Sequence, residues 1–487
     1  MSLYSYTLIA RYFGISMEKD IWLLAISLIL TLDTAVWGPI NDIFRTKFVT
    51  IKELDGEKKA MLATTSLLFY MFVFSSILVL LLIVFTDFFA SLISSGYDFE
   101  QRKRLVEMIR LVAPILLFNQ ASLIGVSILN AYGSFIIPEV AGFFSQIFNI
   151  LILVFFVDQL GIYVLWLGTL AGLLFLISLI IYKIKNIRIN LFGSVSLDFQ
   201  YFKSFFLFAL PLFLTYFLGQ FNGLIEKRLI SSSGHGAVSI IDFSRKFPDM
   251  VNVIISSVIL TVLTPAITKS FVNKENKQFD KSFLDSFGLG LLIIGFFTVF
   301  MLVASYDVIM FFYSKSTIAP ESLLRITKLN KFYSLTAFAI FLYVIFGTCL
   351  LAIGRNKMNA LAGASTQIAV ICINVGLVNT FGMDIFPVSI LIAHFLAAVF
   401  MFSYYPYDKR LILSFFIRIV IFLASVLIAL SLIFPYIMQI LSIEAYFGRV
   451  VVTAVLEVTL FIILGFVFNI NEIVSGINLL LKRFSFK

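Results

Sequence analysis

Asp33 lies inside an otherwise apolar run, Ile21–Trp37, that is followed at once by Gly38-Pro39-Ile40-Asn41-Asp42 and then Arg45. Ionisable residues are rare in membrane-length apolar runs because each costs about 2.5–3.5 kcal/mol at the bilayer centre. Pro39 removes a backbone donor and predicts a break in the helix there. The freed carbonyls would need a wet cavity or a neighbouring helix, unless the segment is an ordinary interfacial helix end with caps. A second group, Asp242, Arg245, Lys246 and Asp249, is spaced i, i+3, i+4 and i+7 and falls on one helix face, where the acids can pair with the bases. Such a stripe leading into an apolar run suits either a helix lining an aqueous cleft or a solvated helix end. Glu226, Lys227 and Arg228 close another run in the same way. The chemistry open to these sets is neutralisation of an anionic headgroup, with guanidinium forks best matched to phosphate oxygens.

Smaller polar groups are spread through the apolar runs. Gln146, Asn149, Gln367, Asn374 and Asn379 are of the kind that hydrogen-bond between helices. His394 is open to a proton or cation role as well as to plain hydrogen bonding. Lys328 and Lys331 read as interfacial side chains reaching out of the apolar zone. Cys349 and Cys372 are isolated, without metal-ligand spacing, and read as small apolar fillers. No nucleotide-binding, zinc or nucleophile motif stands out, so neither cofactor nor metal is expected, only a coupling ion or the membrane potential as driving force.

The elements that must position these residues follow from composition. The 487 residues are 61% hydrophobic and 13% charged, with a mean hydropathy of +1.04. A bilayer core about 30 Å thick needs roughly 20 helical residues per crossing, and lipid offers the backbone no hydrogen-bond partners. The chain therefore reads as an all-α integral membrane protein. Full crossings are expected near Ile21–Trp37, Ala60–Phe85, Leu105–Ala131, Phe135–Val157, Ile162–Tyr182, Phe205–Ile225 and Val251–Ile267. They continue near Leu289–Phe312, Ala337–Ala352, Met358–Val378, Pro387–Tyr404, Leu411–Ile433 and Val450–Phe468. Leu3–Phe13 reads as the distal half of a truncated first crossing, giving about fourteen, and Asn471–Lys487 as a short interfacial helix. Basic residues concentrate in alternate short loops, at 45–59, 183–203, 269–281, 355–357 and 409–410. That bias predicts cytoplasmic termini. It also accounts for most of the +9 net charge, so no nucleic-acid partner is needed.

The chain also repeats. Ala141-Gly142-Phe143-Phe144-Ser145-Gln146-Ile147 matches Ala362-Gly363-Ala364-Ser365-Thr366-Gln367-Ile368 at a shift of 221 residues, and Phe48-Val49 is echoed by Phe271-Val272. The shift spans an even number of crossings, which predicts parallel six-helix lobes over 1–195 and 196–408 with a cleft between them, and two added helices over 409–487. Close helix packing through small residues accounts for the residue types but not for the register. Arg418 and Glu457, in the added pair, either line a groove or pair with each other.

Several segments resemble the MurJ/MviN lipid II flippases. They include Ala10-Arg11-Tyr12-Phe13-Gly14 followed by Asp20, Phe48-Val49, and Leu129-Asn130 with Pro138. Further along they include Ile225-Glu226-Lys227-Arg228-Leu229-Ile230-Ser231, Asp242, Phe247-Pro248 and Leu263-Thr264-Pro265-Ala266. The resemblance covers nearly the whole chain. It implies a fourteen-helix member of the multidrug/oligosaccharidyl-lipid/polysaccharide exporter superfamily, moving an undecaprenyl-pyrophosphate-linked sugar between leaflets. It places Asp20 at an important family acid, and Glu226 and Asn374 at a cation site. The chain departs from the family pattern at Ser5, where an arginine would fall, at Phe243 directly after Asp242, and over Asp42–Lys47, which reads as an insertion.

The expectation is a flippase for a lipid-linked saccharide, lipid II foremost, acting as a monomer in the bacterial plasma membrane. Arg11, Arg45 and Arg245 are expected to meet the pyrophosphate, while Asp20, Asp33 and Asp242 hold those bases or gate the cleft. Glu226, Asn374 and His394 are the candidates for a coupling cation. The alternatives are a flippase for another lipid-linked glycan or a drug/cation antiporter of the same architecture. A membrane glycosyltransferase or polymerase normally carries a substantial extramembrane catalytic loop, and none is present.

Overall fold

A computed structural model describes residues 2–134, 136–186, 196–259 and 263–470. The described chain is helical, with no strand among the described residues. It opens with α1 (Ser2–Phe13), α2 (Met17–Asp55), α3 (Glu57–Val84), α4 (Thr86–Ile93), α5 (Phe99–Val112) and α6 (Ile115–Ala131), then α7 (Ile136–Leu160), α8 (Tyr163–Asn186) and α9 (Phe199–Ser231). There follow α10 (Ala237–Val258), α11 (Thr264–Val272), α12 (Asn276–Tyr313), α13 (Pro320–Ala352) and α14 (Asn356–Phe381), then α15 (Ile385–Phe402), α16 (Lys409–Leu441) and α17 (Tyr446–Val467). The expected crossings fall on helices wherever residues are described, but two are divided: Leu105–Ala131 between α5 and α6, and Val251–Ile267 between α10 and α11, with 260–262 outside the described residues. Among the described residues, ten helical stretches are long and apolar enough to cross a bilayer, or eleven counting α9, which bends by 65° between Leu210 and Leu212. The expected tail helix over Asn471–Lys487 lies outside the described residues.

The contacts divide the chain into two compact units, Met1–Ser239 and Ile240–Lys487. This division differs from the expected boundary at 195/196, because α9 packs on α2, α3 and α4 of the first unit. In that unit α2 is central, touching α3, α5, α6 and α9. Its residues Trp37, Ile40, Phe44 and Phe48 are spaced to share one face, and all four are buried. Phe44 stacks on Phe205 of α9 at 5.7 Å. Gly168 and Gly172 on α8 let α7 approach closely: a Cβ at either would lie 2.6 Å from the side chain of Asn149 or Ser145.

The expected break at Pro39 does not occur: α2 runs without interruption from Met17 to Asp55 with Pro39 inside it. One lost donor is a local cost, and the surrounding face is held by packing, so the helix carries through. Gly38 is part of that packing. A Cβ there would sit 2.3 Å from the Tyr216 ring of α9, and the Tyr216 hydroxyl donates to Asp42 Oδ2, one turn further along α2. Gly38→Ala is therefore expected to push the ring aside and break that bond. Overpacking of this kind costs about 1–3 kcal/mol, offset in part by the roughly 1 kcal/mol better helix propensity of alanine. A lower thermal midpoint in detergent would register the net loss, and an unchanged midpoint would show that the helices separate freely at this point.

In the second unit α12 carries an aromatic column, Phe279, Phe283 and Phe287, against Phe341 and Phe346 of α13. The two added helices are not a loose appendage. Both α16 and α17 pack on α12, and Phe422 and Phe461 enter the same core with rings 5.1 Å apart. Large side chains elsewhere face outward, among them Phe72, Leu80, Ile428 and Leu432, as expected of helices solvated by lipid.

Candidate functional site

Asp20 stands in the first turn of α2, behind the N-cap Ser16, where the helix dipole favours an acid. It is fully buried. Its Oδ1 accepts from the backbone N–H of Ser239 at 2.8 Å and from the Ser239 hydroxyl at 2.5 Å. Ser239 lies in the first turn of α10, so one carboxylate oxygen joins the starts of two long helices. The other oxygen, Oδ2, is buried with no hydrogen bond among the described residues. Glycines let the surrounding turns close. A Cβ at Gly236 (φ +78°) would strike Ile15 at 2.1 Å, and one at Gly96 would meet the Ser231 carbonyl at 2.6 Å. Next to Gly96, burial and the nearby Asp20 push the Tyr97 phenol well above the ordinary tyrosine range.

Asp33 sits further along α2, 2% exposed. Two adjacent amides of α6 hold it: Asn119 Nδ2 donates to Oδ2 and Gln120 Nε2 to Oδ1, both at 2.6 Å. Asn41 Nδ2 donates in turn to Gln120 Oε1 at 3.2 Å. The expected arginine partner is thus replaced by carboxamides for Asp33 and by serine for Asp20. Arg11 closes α1 and Arg45 lies along α2, both exposed. Lys47, just past Arg45, donates to the Ser204 carbonyl at 2.8 Å, and burial lowers its pKa.

In the second unit the stripe on α10 forms as expected. Arg245 Nε lies 3.5 Å from Asp249 Oδ2, and its guanidinium lies 5.4 Å from the centre of the Tyr333 ring. Asp242, half-buried, and Asp249 are the acids acting on Lys246. Pro248, inside α10, can give no N–H to the Ser244 carbonyl four residues back. Asn330 of α13, fully buried, supplies that bond from Nδ2 at 2.9 Å and accepts from Ser305 at 2.6 Å.

The remaining candidates lie on α9 in the first unit and on α13 to α17 in the second. Glu226 is buried on α9 one turn after the buried Asn222. Asn374 is buried on α14 with Oδ1 lacking a hydrogen bond among the described residues. His394 bonds the Ile390 carbonyl of its own helix at 2.9 Å and meets Tyr343 edge-on at 5.2 Å. Lys328 pairs with Asp384 at 2.6 Å. Arg418 donates to the Asn469 carbonyl at 3.0 Å, and Glu457, fully buried, has no hydrogen-bond partner among the described residues, so these two do not pair. A salt bridge that sequence reasoning missed joins Arg449 Nε of α17 to Asp307 Oδ1 of α12 at 2.7 Å. Asn119-Gln120 was also missed, although two adjacent amides inside an apolar run are a usable signal.

The family described as lipid II flippase MurJ matches residues 9–459. The chain belongs to the MurJ family. Solved structures share its fold. A lipid II flippase MurJ in an inward closed conformation aligns at a TM-score of 0.80 and 19% identity, covering 97% of this chain and 96% of that one. An inward-facing MATE-family multidrug-resistance transporter of the MOP superfamily aligns at 0.68 and 14%, covering 84% and 98%. The Vibrio cholerae MATE transporter VcmN in its bent form aligns at 0.52 and 15%, covering 81% and 87%. None of the curated protein sequences matches the chain. MurJ-family membership makes this a multi-pass membrane protein of a lipid flippase family.

Proposed function

We propose that this chain translocates an undecaprenyl-pyrophosphate-linked saccharide, lipid II, from the inner to the outer leaflet of the bacterial plasma membrane by alternating access, as a transporter rather than an enzyme. The MurJ-family match over residues 9–459 is the observation that carries this reading. The physical task is to give a charged pyrophosphate and its sugars a polar route while the lipid tail stays in hydrocarbon. Arg11, Arg45 and Arg245 supply guanidinium forks for the phosphates, with Asp242 beside Lys246 tuning the charge of the stripe on α10. Asp20, bonded to Ser239, acts as a latch between helix starts. The basic loops set both termini in the cytoplasm. A coupling cation would draw on Glu226, Asn374 and His394, and the buried Asn374 Oδ1 is an oxygen of the type alkali cations accept. The test is complementation of cells depleted of their own lipid II flippase. Growth should be restored. Failure to restore it, with resistance to organic cations gained instead, would move the chain to the antiporter reading that the shared MATE fold leaves open.

A further inference from the structure

Three of the buried carboxylates, Asp33, Asp307 and Glu457, have three different environments. Asp307 faces the guanidinium of Arg449 at 2.7 Å, a permanent cation that favours the charged form of an acid. Neither carboxyl oxygen of Glu457 makes a hydrogen bond among the described residues, and burial without such a partner disfavours the charged form of a carboxyl. Asp33 is held only by the amides of Asn119 and Gln120. A carboxamide carries both N–H donors and a carbonyl acceptor. It donates to the ionised acid and, turned over, accepts the O–H of the protonated acid. Amide partners therefore serve both states, where an arginine serves one.

The surroundings of Asp33 support the same conclusion. No ionisable residue occurs on α6. On the other helices packed against α2, Arg110 of α5 donates to Thr86 and Glu107 is exposed. Tyr216 of α9 donates to Asp42. The charges of α3 lie at its start, where Lys59 pairs with Asp55 and Glu57 accepts from Tyr132. Arg102 and Arg228, on α5 and α9, donate to the Asp87 and Ser91 carbonyls, and Asp33 itself bonds only to Asn119 and Gln120 among the described residues. A polar stripe also leads away from it. Asp33, Trp37 and Asn41 are spaced i, i+4 and i+8 along α2. Trp37 Nε1 and Asn41 Oδ1 are a buried donor and a buried acceptor without a hydrogen bond among the described residues, the kind of polar groups that ordered water serves. The stripe ends beside the exposed Asp42.

We propose that Asp33 is a proton-exchanging site: its carboxylate takes one proton from water through the Trp37–Asn41 stripe and returns it during the transport cycle. The bond formed is Asp33 O–H and the bond broken is one O–H of hydronium, which leaves as water, while Asn119 or Gln120 turns its carbonyl to accept the new O–H. No group changes oxidation state.

Two measurements on the purified full chain test this. The first needs no substrate and stands without the transport reading. Infrared titration should show a protonated-carboxyl band that grows as pH falls and disappears in Asp33→Asn, while Glu457→Gln removes only a pH-independent one. Asp33→Asn is isosteric and keeps amide-to-amide bonding, and a thermal midpoint close to the parent's confirms that it is folded. The second measurement rests on the transport reading. In proteoliposomes with lipid II, one proton per cycle shifts the equilibrium distribution of substrate between leaflets by about tenfold per unit of transmembrane pH difference. Asp33→Asn should lose that response, and Glu457→Gln should keep it. A pH-dependent band untouched by Asp33→Asn, or a gradient response retained in that variant, overturns the proposal. A response to a sodium gradient in place of the proton gradient overturns it as well. If the band titrates as expected and lipid II is not moved, the transport reading fails and the proton site stands.

Discussion

Arg245→Ala is expected to lower translocation by about 10- to 100-fold, because hydrogen bonds to charged groups contribute about 1.5–3 kcal/mol each. Arg245 is well suited to this role. It lies on a stripe of four charged residues on α10, its side chain is 30% exposed, and its present partner Asp249 is 52% exposed. The ion pair is thus a weak one that an incoming phosphate can replace. The Tyr333 ring steadies the guanidinium, a contact that contributes about 0.5–1 kcal/mol at an exposed position. Both contacts are made at a partly exposed position, so expression and the thermal midpoint should change little. Arg245→Lys should fall between parent and alanine, since an ammonium keeps the charge but not the planar fork. Translocation measured in vesicles decides the matter. Parent-level flipping by Arg245→Ala would remove this residue from the substrate path.

The largest expected effect on stability is at the opposite end of the charge scale. Asp307 is 2% exposed, and its carboxylate meets Arg449 at 2.7 Å. Removing one partner of a buried pair costs about 3–5 kcal/mol, because the other charge is left uncompensated. Arg449→Met should fall near the lower limit, since the arginine retains 30% exposure and water or headgroups reach part of the site. The double variant Asp307→Leu with Arg449→Met should recover most of the loss, as apolar groups of similar volume often replace a buried ion pair at little net cost. A double-mutant cycle on thermal or denaturant unfolding in detergent separates these terms. If Arg449→Met alone unfolds like the parent, the pair does not hold α12 to α17.

The charge stripe on α10 was legible in the primary structure because i, i+3, i+4 and i+7 spacing is a property of a single helix. The same is true of the helices themselves: the expected apolar runs fall on helices, two of them divided between consecutive helices, since lipid permits the backbone no other closed solution there. The Pro39 break was the misreading. The rule that proline interrupts a helix is local, whereas the continuity of α2 comes from the Trp37, Ile40 and Phe44 face and from Tyr216 fitting over Gly38. Pro248 shows the complementary case, in which a carbonyl freed by proline is answered by Asn330 from another helix.

Amino-acid order alone therefore determined the solvent, the helix spans and the residues expensive enough to demand a reason, because hydropathy and helical period are summed over neighbours in the chain. The partners of those residues were decided only in three dimensions. Asp20 and Ser239 are 219 positions apart, Asp33 and Gln120 are 87 apart, and Asp307 and Arg449 are 142 apart. No periodicity in the chain encodes such pairings. Whether a buried acid meets a guanidinium, a pair of amides or no side-chain partner is decided by the packing of one helix on another.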